Sequence, residues 1–483
     1  MNADALLTAS AVALGRAIRE GELSSVDVVG AHVARAEATH ERINAFVARR
    51  FEEAMREAEA ADARLAGLDA DARADLSPFF GVPCSIKECF ALEGMPNSGG
   101  LVARADVRAT RDATAVRRLR RAGAIPLGVT NLSELCMWMG SNNKLYGRTN
   151  NPYDPRRIVG GSSGGEGAVV AAGAAPFGLG SDIGGSIRLP AFFNGVFGHK
   201  PTGGLVPSTG QYPASEGDAL RYLCSGPLCR RAEDLWPLLR VLAGPDGEDS
   251  ACVPWRLGDP SALHPGEVRA LVVRGNGLRR VSRDISAAQD RAADALRARG
   301  CSVEEVELPE LKKSLVLWST LLGEAQETSF RDMLEQGERK SMPWEILRWT
   351  LRRGEHTLPA LLLAAIEGPA ARFTPDLEAV RADAESLKRT LRERLGPNGV
   401  MLYPTYTRPA PKHDVPMLLP IDWVYTAVMN VLEVPVTQVP AGLTAAGIPT
   451  GFQVVGTQGR DHVPIAVARW LEADLGGWVM PPA

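Results

Sequence analysis

Cysteine, histidine and excess charge are all scarce in this chain of 483 residues, and each shortage removes a class of function. The seven cysteines, Cys84, Cys89, Cys136, Cys224, Cys229, Cys252 and Cys301, include no C-x-x-C pair and no metal-ligand spacing. They read as reduced thiols of a cytoplasmic protein, neither a disulfide frame nor a zinc site. Lys and Arg (54) nearly balance Asp and Glu (57), leaving a net charge of -3. That is not the basic field a nucleic-acid partner needs, so none is expected. No stretch reaches the roughly 18 apolar residues of a membrane span. The start, MNADALLTASAVALGRAIREGEL, also lacks the basic head and long apolar core of a signal peptide. A phosphate-cradling G-x-x-x-x-G-K-[ST] loop is missing too.

What is present suits a large globular protein: 45% hydrophobic and 23% charged residues, with length enough for a sizeable core. Residues 1–75 read as a helical part. In it a cap at Ser24 or Ser25 precedes Val26, Val29, Val33 and Ala36 at helical spacing. From Pro78 the texture changes. Short apolar runs (GVPCSI, AIPLGV, APFGLG) alternate with helical stretches such as 112–122, a rhythm that predicts an α/β sheet. It returns as RALVV, a helix over about 283–299 and CSVEEVEL, then as MLYP, VPVTQVPAG and GFQVVG. A mainly helical insertion, about 309–395, separates these pieces. With no long linker and no repeat, the expectation is α/β: one large domain, 1–483, with a central twisted mixed sheet covered by helices on both faces.

The chemistry concentrates in 160–188, GGSSGGEGAVVAAGAAPFGLGSDIGGSIR, with two Gly–Gly–Ser clusters. Glycine at this density lets backbone amides approach a ligand closely. Gly160-x-Ser162-x-Gly164 fits a nucleophile elbow, which needs a later acid and histidine. His199, His264, His356, His413 and His462 follow, but nothing in their settings marks one as a base. A Gly/Ser loop that only packs closely stays open for either cluster taken alone.

Taken together the clusters resemble the amidase signature family. There the first serine of GGSSGG and the serine of DIGGSIR, 24 positions later, work with an upstream lysine. Here these are Ser162, Ser186 and, in GVPCSIK, Lys87. The likeness covers nearly the whole chain, including GRTNNPYD at 147–154, YPT, Asn430, VPAG and GFQVVG. SPFFGVP, Glu166 and RLPAFFNGVFGHKPT bring it nearest to fatty-acid amide hydrolases of the second animal type.

The resemblance implies an amidase working through an acyl-enzyme, with no metal or organic cofactor and a small-molecule amide as substrate. Ser186 would be the nucleophile, Lys87 the base and Ser162 the proton carrier between them, with Ser163 as the competing bridge. A lysine near its ordinary pKa of about 10.4 holds its proton at neutral pH, so the base role asks for burial. The amides of Ile183, Gly184, Gly185 and Ser186 would converge as an oxyanion hole. Asp182 and Arg188 would brace that loop, or else form a plain surface pair. The family also implies a cis bond before Ser162, a Cys136 carbonyl in contact with the catalytic loop, and an acyl side lined by Cys136, Met137 and Trp138, which suits apolar or aryl groups. The A subunit of glutaminyl-tRNA amidotransferase shares the catalytic set but usually has Ser or Ala where Glu166 stands, and a non-catalytic binding protein is the remaining alternative. In the insertion, Trp344, Leu347 and Leu351 share a helical face while Ile346 and Trp349 point elsewhere. Such a face could serve as a pocket lid, a homodimer contact or a peripheral membrane contact.

Overall fold

A computed structural model describes residues 3–336, 341–370 and 375–482. The strands, in chain order, are β1 (Phe46–Arg49), β2 (Pro83–Lys87), β3 (Ile125–Thr130), the short β4 (Asn142–Asn143) and β5 (Gly147–Arg148), β6 (Phe177–Asp182), β7 (Phe197–Lys200), β8 (Cys224–Cys229), β9 (Arg269–Val272), β10 (Ser302–Glu305), β11 (Val400–Tyr403), β12 (Val436–Leu443) and β13 (Pro449–Val455). Among the described residues β4 and β5 pair as a hairpin, and the other eleven form one mixed sheet ordered β1-β3-β2-β6-β8-β7-β12-β13-β11-β9-β10. β2 lies parallel to both β3 and β6, while β8 runs antiparallel to β6. Every residue of β2, β3, β6, β8, β11 and β13 is buried, as strands covered by helices on both faces must be. Because one sheet takes strands from both sides of the insertion, the chain is a single α/β domain.

Local chemistry accounts for the element ends. Ser24, not Ser25, caps the long helix Ser25–Ile43, its Oγ accepting from Asp27 N at 2.9 Å. The helix expected over 112–122 spans Thr114–Arg121, and the one expected at 283–299 spans Arg283–Ala298. The N-terminal part is not helical throughout: β1 interrupts it and pairs antiparallel with β3 at the edge of the sheet. β7 and β8 were not foreseen either.

The insertion contributes helices Ser314–Ala325, Phe330–Glu335, Met342–Thr350, Leu358–Ala370 and Leu377–Leu395. Its residues 337–340 and 371–374 lie outside the described residues. Trp344 and Leu351 are 56% and 57% exposed, with Leu347, Leu362 and Ile366 also exposed. Ile346 and Trp349 turn inward onto a cluster containing Phe330, Leu334 and Leu361.

Candidate active site

The site lies where β2 and β6 end side by side. Lys87 is the last residue of β2 and Asp182 the last of β6, so parallel pairing delivers both to one rim of the sheet. Lys87 is fully buried, and its Nζ donates to Ser162 Oγ at 2.7 Å and to Ser181 Oγ at 2.9 Å. The peptide Gly161–Ser162 is cis. Ser163, the competing bridge, bonds elsewhere: its Oγ donates to the Ser181 carbonyl at 3.1 Å. Ser186 stands in the loop that follows β6, and its carbonyl accepts from Ser163 N at 3.2 Å. Ser162 Oγ and Ser186 Oγ share no direct hydrogen bond among the described residues. Such bonds are often long without substrate and tighten when it binds.

The loop 182–187 is fixed peptide by peptide. The carbonyl of Asp182 accepts from Asn430 Nδ2 (2.9 Å), that of Ile183 from Trp318 Nε1 (2.8 Å), that of Gly184 from Thr426 Oγ1 (2.6 Å) and that of Gly185 from Leu189 N (2.7 Å). In a trans peptide the N–H points opposite its carbonyl, so anchoring the oxygens aims the amides of Ile183, Gly184, Gly185 and Ser186. One of these four is already engaged. Gly185 N donates to Asp182 Oδ1 at 2.7 Å, which removes it from the expected oxyanion set. The amides of Ile183, Gly184 and Ser186 donate no hydrogen bond among the described residues. Gly185 has φ +128°, and a Cβ there would lie 2.2 Å from Thr426 Oγ1, so only glycine allows this turn.

Asp182 and Arg188 are both wholly buried, which rules out the surface pair. Arg188 uses all five of its N–H donors: two reach Asp182 (2.8 and 3.0 Å), and the others reach Thr426 O (2.8 Å), Gln453 Oε1 (2.9 Å) and Asn430 Oδ1 (2.6 Å). Burial pushes the Asp182 carboxyl up, but Arg188 and the loop amides outweigh it and hold the group below the usual carboxylate range.

Glu166, one turn into the helix Gly164–Ala171, is buried beneath Lys87. Ser85 Oγ donates to its Oε2 at 2.5 Å and Thr130 Oγ1 to its Oε1 at 2.6 Å. Gly178 makes room for the carboxyl, since a Cβ there would meet Oε2 at 1.7 Å. Burial raises Glu166 to about 7 against the pull of these hydroxyls and of Lys87.

Ser186 opens into a cavity of about 170 Å³ whose wall includes Cys136, Met137, Trp138, Met139, Leu189, Trp318, Leu363 and Trp423. All three sequence candidates for the acyl side are therefore on its wall. Cys136 approaches the centre through its thiol, which faces Cys89, Ser162 and Lys87 and is lowered, the contact with Cys89 contributing most. No hydrogen bond from the catalytic loop reaches the Cys136 carbonyl among the described residues. It is the Trp138 carbonyl that lies against Gly161. Trp318 and Trp423 meet edge to face with ring centroids 4.7 Å apart. Trp138 also borders a wider cleft of about 750 Å³ beside His413 and Leu418.

No histidine bonds to Ser162 or Ser186 among the described residues. His199 is occupied by Thr437 and Asp461, and His356 by Glu134, which leaves the elbow reading without its base. The described residues also contain no His/Cys/Asp/Glu group able to hold a metal ion. Ser181 and Thr426 escaped the sequence reading, and Trp318 stood in it only as one of the insertion's aromatic residues that could cover a substrate pocket, without its bond to the loop. Ser181 lies next to the recognised DIGGS run, whereas Trp318 is 135 residues away from the carbonyl it holds and gave no local signal.

A buried lysine bonded to a serine, beside a second serine in a loop of aimed amides, is an arrangement suited to acyl transfer. Comparison with known proteins is more specific. Residues 27–463 match the Amidase family. The chain is 44% identical to human fatty-acid amide hydrolase 2, over 99% of this chain and 91% of the relative. Among solved structures, 6-aminohexanoate cyclic dimer hydrolase superposes with a TM-score of 0.80 at 28% identity, covering 99% of each chain. The peptide amidase of Stenotrophomonas maltophilia gives 0.77 at 26% identity, covering 98% of each. The chain belongs to the amidase family. It is an enzyme that hydrolyses amide bonds of small-molecule substrates.

Proposed function

We propose that hydrolysis proceeds through an acyl-enzyme on Ser186, with Ser162 and Lys87 moving the proton. The observation that carries this reading is the 2.7 Å contact of the buried Lys87 Nζ with Ser162 Oγ. Ser186 Oγ attacks the acyl carbon. As it does so, its proton passes to Ser162 Oγ while the Ser162 proton passes to Lys87 Nζ. The amides of Ile183, Gly184 and Ser186 stabilise the oxyanion. When the adduct collapses, Ser162 gives a proton to the departing amine and is reprotonated by Lys87. Water then attacks the ester by the same route in reverse, releasing the carboxylic acid.

The acyl group we assign is apolar or aryl. A dry cavity of about 150 Å³ holds a benzene ring, and the wall beside Ser186 is made of Trp, Met and Leu around about 170 Å³. The exposed strip Trp344, Leu347, Leu351 and Ile366 is the surface through which a homodimer or peripheral membrane contact would form. No helix among the described residues is long and apolar enough to cross a membrane. Seven free thiols support a cytoplasmic location.

The test is hydrolysis of short, long-chain and aryl amides by the wild type and by Lys87→Ala, Ser162→Ala and Ser186→Ala, with intact-mass detection of trapped acyl-enzyme. The expected result is loss of all acylation in Ser186→Ala and slowing by roughly 10⁴-fold or more in the other two. Acylation that persists in Ser186→Ala sinks the nucleophile assignment. Sedimentation and vesicle flotation of the wild type separate the two surface contacts, and a monomer that does not float removes both.

A further inference from the structure

The Ile183–Gly184 peptide is held by a side chain that also forms the wall of the acyl cavity. Trp318 comes from the insertion, on helix Ser314–Ala325, yet its Nε1 donates to the Ile183 carbonyl at 2.8 Å. That carbonyl and the Gly184 N–H belong to one planar trans peptide, so a donor on the oxygen sets the direction of the hydrogen. The neighbouring peptide is tied at both ends, by Thr426 Oγ1 on the Gly184 carbonyl and by Asp182 on the Gly185 amide. Trp318 is therefore the anchor that remains for the Gly184 N–H. The indole is also packed tightly. A Cβ placed on Gly184 would meet it at 3.2 Å, and Trp423 closes on its other side at 4.7 Å between ring centroids. The same ring lines the cavity into which Ser186 opens, so an acyl group seated there would touch it.

We propose that Trp318 is a positioning residue that couples acyl fit to oxyanion alignment. A group filling the cavity seats the indole, and the seated indole holds the Gly184 N–H toward the developing oxyanion. This rests on the proposed acyl-enzyme at Ser186. Specificity for apolar or aryl acyl groups should then appear partly in kcat and not only in KM. A wall residue that merely binds substrate would change KM alone, because it favours ground state and transition state equally.

The test compares wild type, Trp318→Phe and Trp318→Leu on the p-nitroanilides of acetic and phenylacetic acid. Rates are referred to serine titrated with a fluorophosphonate, so that misfolded enzyme does not count. Trp318→Phe keeps a ring in the wall but has no N–H. It is expected to lower kcat about tenfold or more on phenylacetyl substrate, below the roughly 10²–10³ of losing an oxyanion donor outright, with KM within about twofold. It should also weaken benzylboronic acid, the tetrahedral mimic of the phenylacetyl adduct, by the same factor as kcat/KM, while leaving the KM of planar phenylacetamide within about twofold. Trp318→Leu should lower kcat and raise KM together. A Trp318→Phe enzyme with wild-type kcat and raised KM overturns the coupling. Failure of the Ser186 reading shows independently, as acylation surviving in Ser186→Ala.

Discussion

The rim of the sheet around Lys87 and the helices after residue 309 are made of opposite materials. At the rim polar side chains are buried and paired: Asp182, Arg188, Asn430 and Gln453 satisfy one another without solvent. In the insertion it is apolar groups that are out of place, with Trp344, Leu347 and Leu351 in water. The first arrangement suits chemistry, since dipoles fixed in a dry place need no reorganisation when charge develops. The second suits recognition, since exposed apolar surface gains by being covered. The two regions touch at Trp318.

That contrast can be broken most severely from the rim. Arg188→Met leaves the Asp182 carboxylate buried without its partner, and such a loss typically costs about 3–5 kcal/mol. Urea unfolding of the variant should show a midpoint well below wild type, and an unchanged midpoint would mean the pair is not the brace described above. A smaller effect is expected from pH. Glu166 is raised by burial from 4.5 to about 7, so between those values the folded state binds the proton that the unfolded state has released. Its contribution to stability is full below about 4.5 and is lost as pH rises through about 7. Asp234, raised by burial to about 7 beside Arg230, adds a decline of the same sign. Melting temperatures at pH 5 to 8 should therefore fall across the interval, and Glu166→Gln should flatten part of the slope while leaving the share of Asp234. A slope identical in Glu166→Gln would show that this carboxyl is already ionised at pH 5. The smallest effect belongs to the insertion. Leu351→Ser should change unfolding free energy by no more than about 0.5 kcal/mol. It should leave kcat/KM on a short soluble amide within about twofold, and a large loss of either would mean that this face is packed in solution.

What could be read beforehand followed the same division. Lys87, Ser162 and Ser186 were singled out because GVPCSIK, GGSSGG and DIGGSIR together resemble one family signature, whereas either Gly/Ser cluster alone left a packing loop open. That Trp344, Leu347 and Leu351 share one face was legible because helical periodicity sorts faces without reference to the rest of the fold, but which way that face turns was not. The strands β7 and β8 were not. FGHK is too short to show a period, and CSGPLC carries Gly226 and Pro227, which argue against a central strand although β8 lies between β6 and β7. The engagement of Gly185 by Asp182 was equally hidden, because it depends on how one loop curls. The carbonyl anchors were the hardest to see: Asn430, Thr426 and Trp318 act on partners 248, 242 and 135 residues away.

Those separations also bear on how the molecule is made. β12 and β13, which follow the other described strands in chain order, lie inside the sheet between β7 and β11, and the helix Val424–Val431 just before them supplies Thr426 and Asn430. A nascent chain that has passed Ser186 therefore holds that serine in a loop whose carbonyls still lack their distant anchors. Closing loops of more than 200 residues is entropically slow and waits for the partner to exist. Lys87, Ser162 and Ser186 all precede residue 190, but the amides beside Ser186 are aimed only once residues 426 and 430 have been made, so the loop 182–187 takes its final shape long after it is translated.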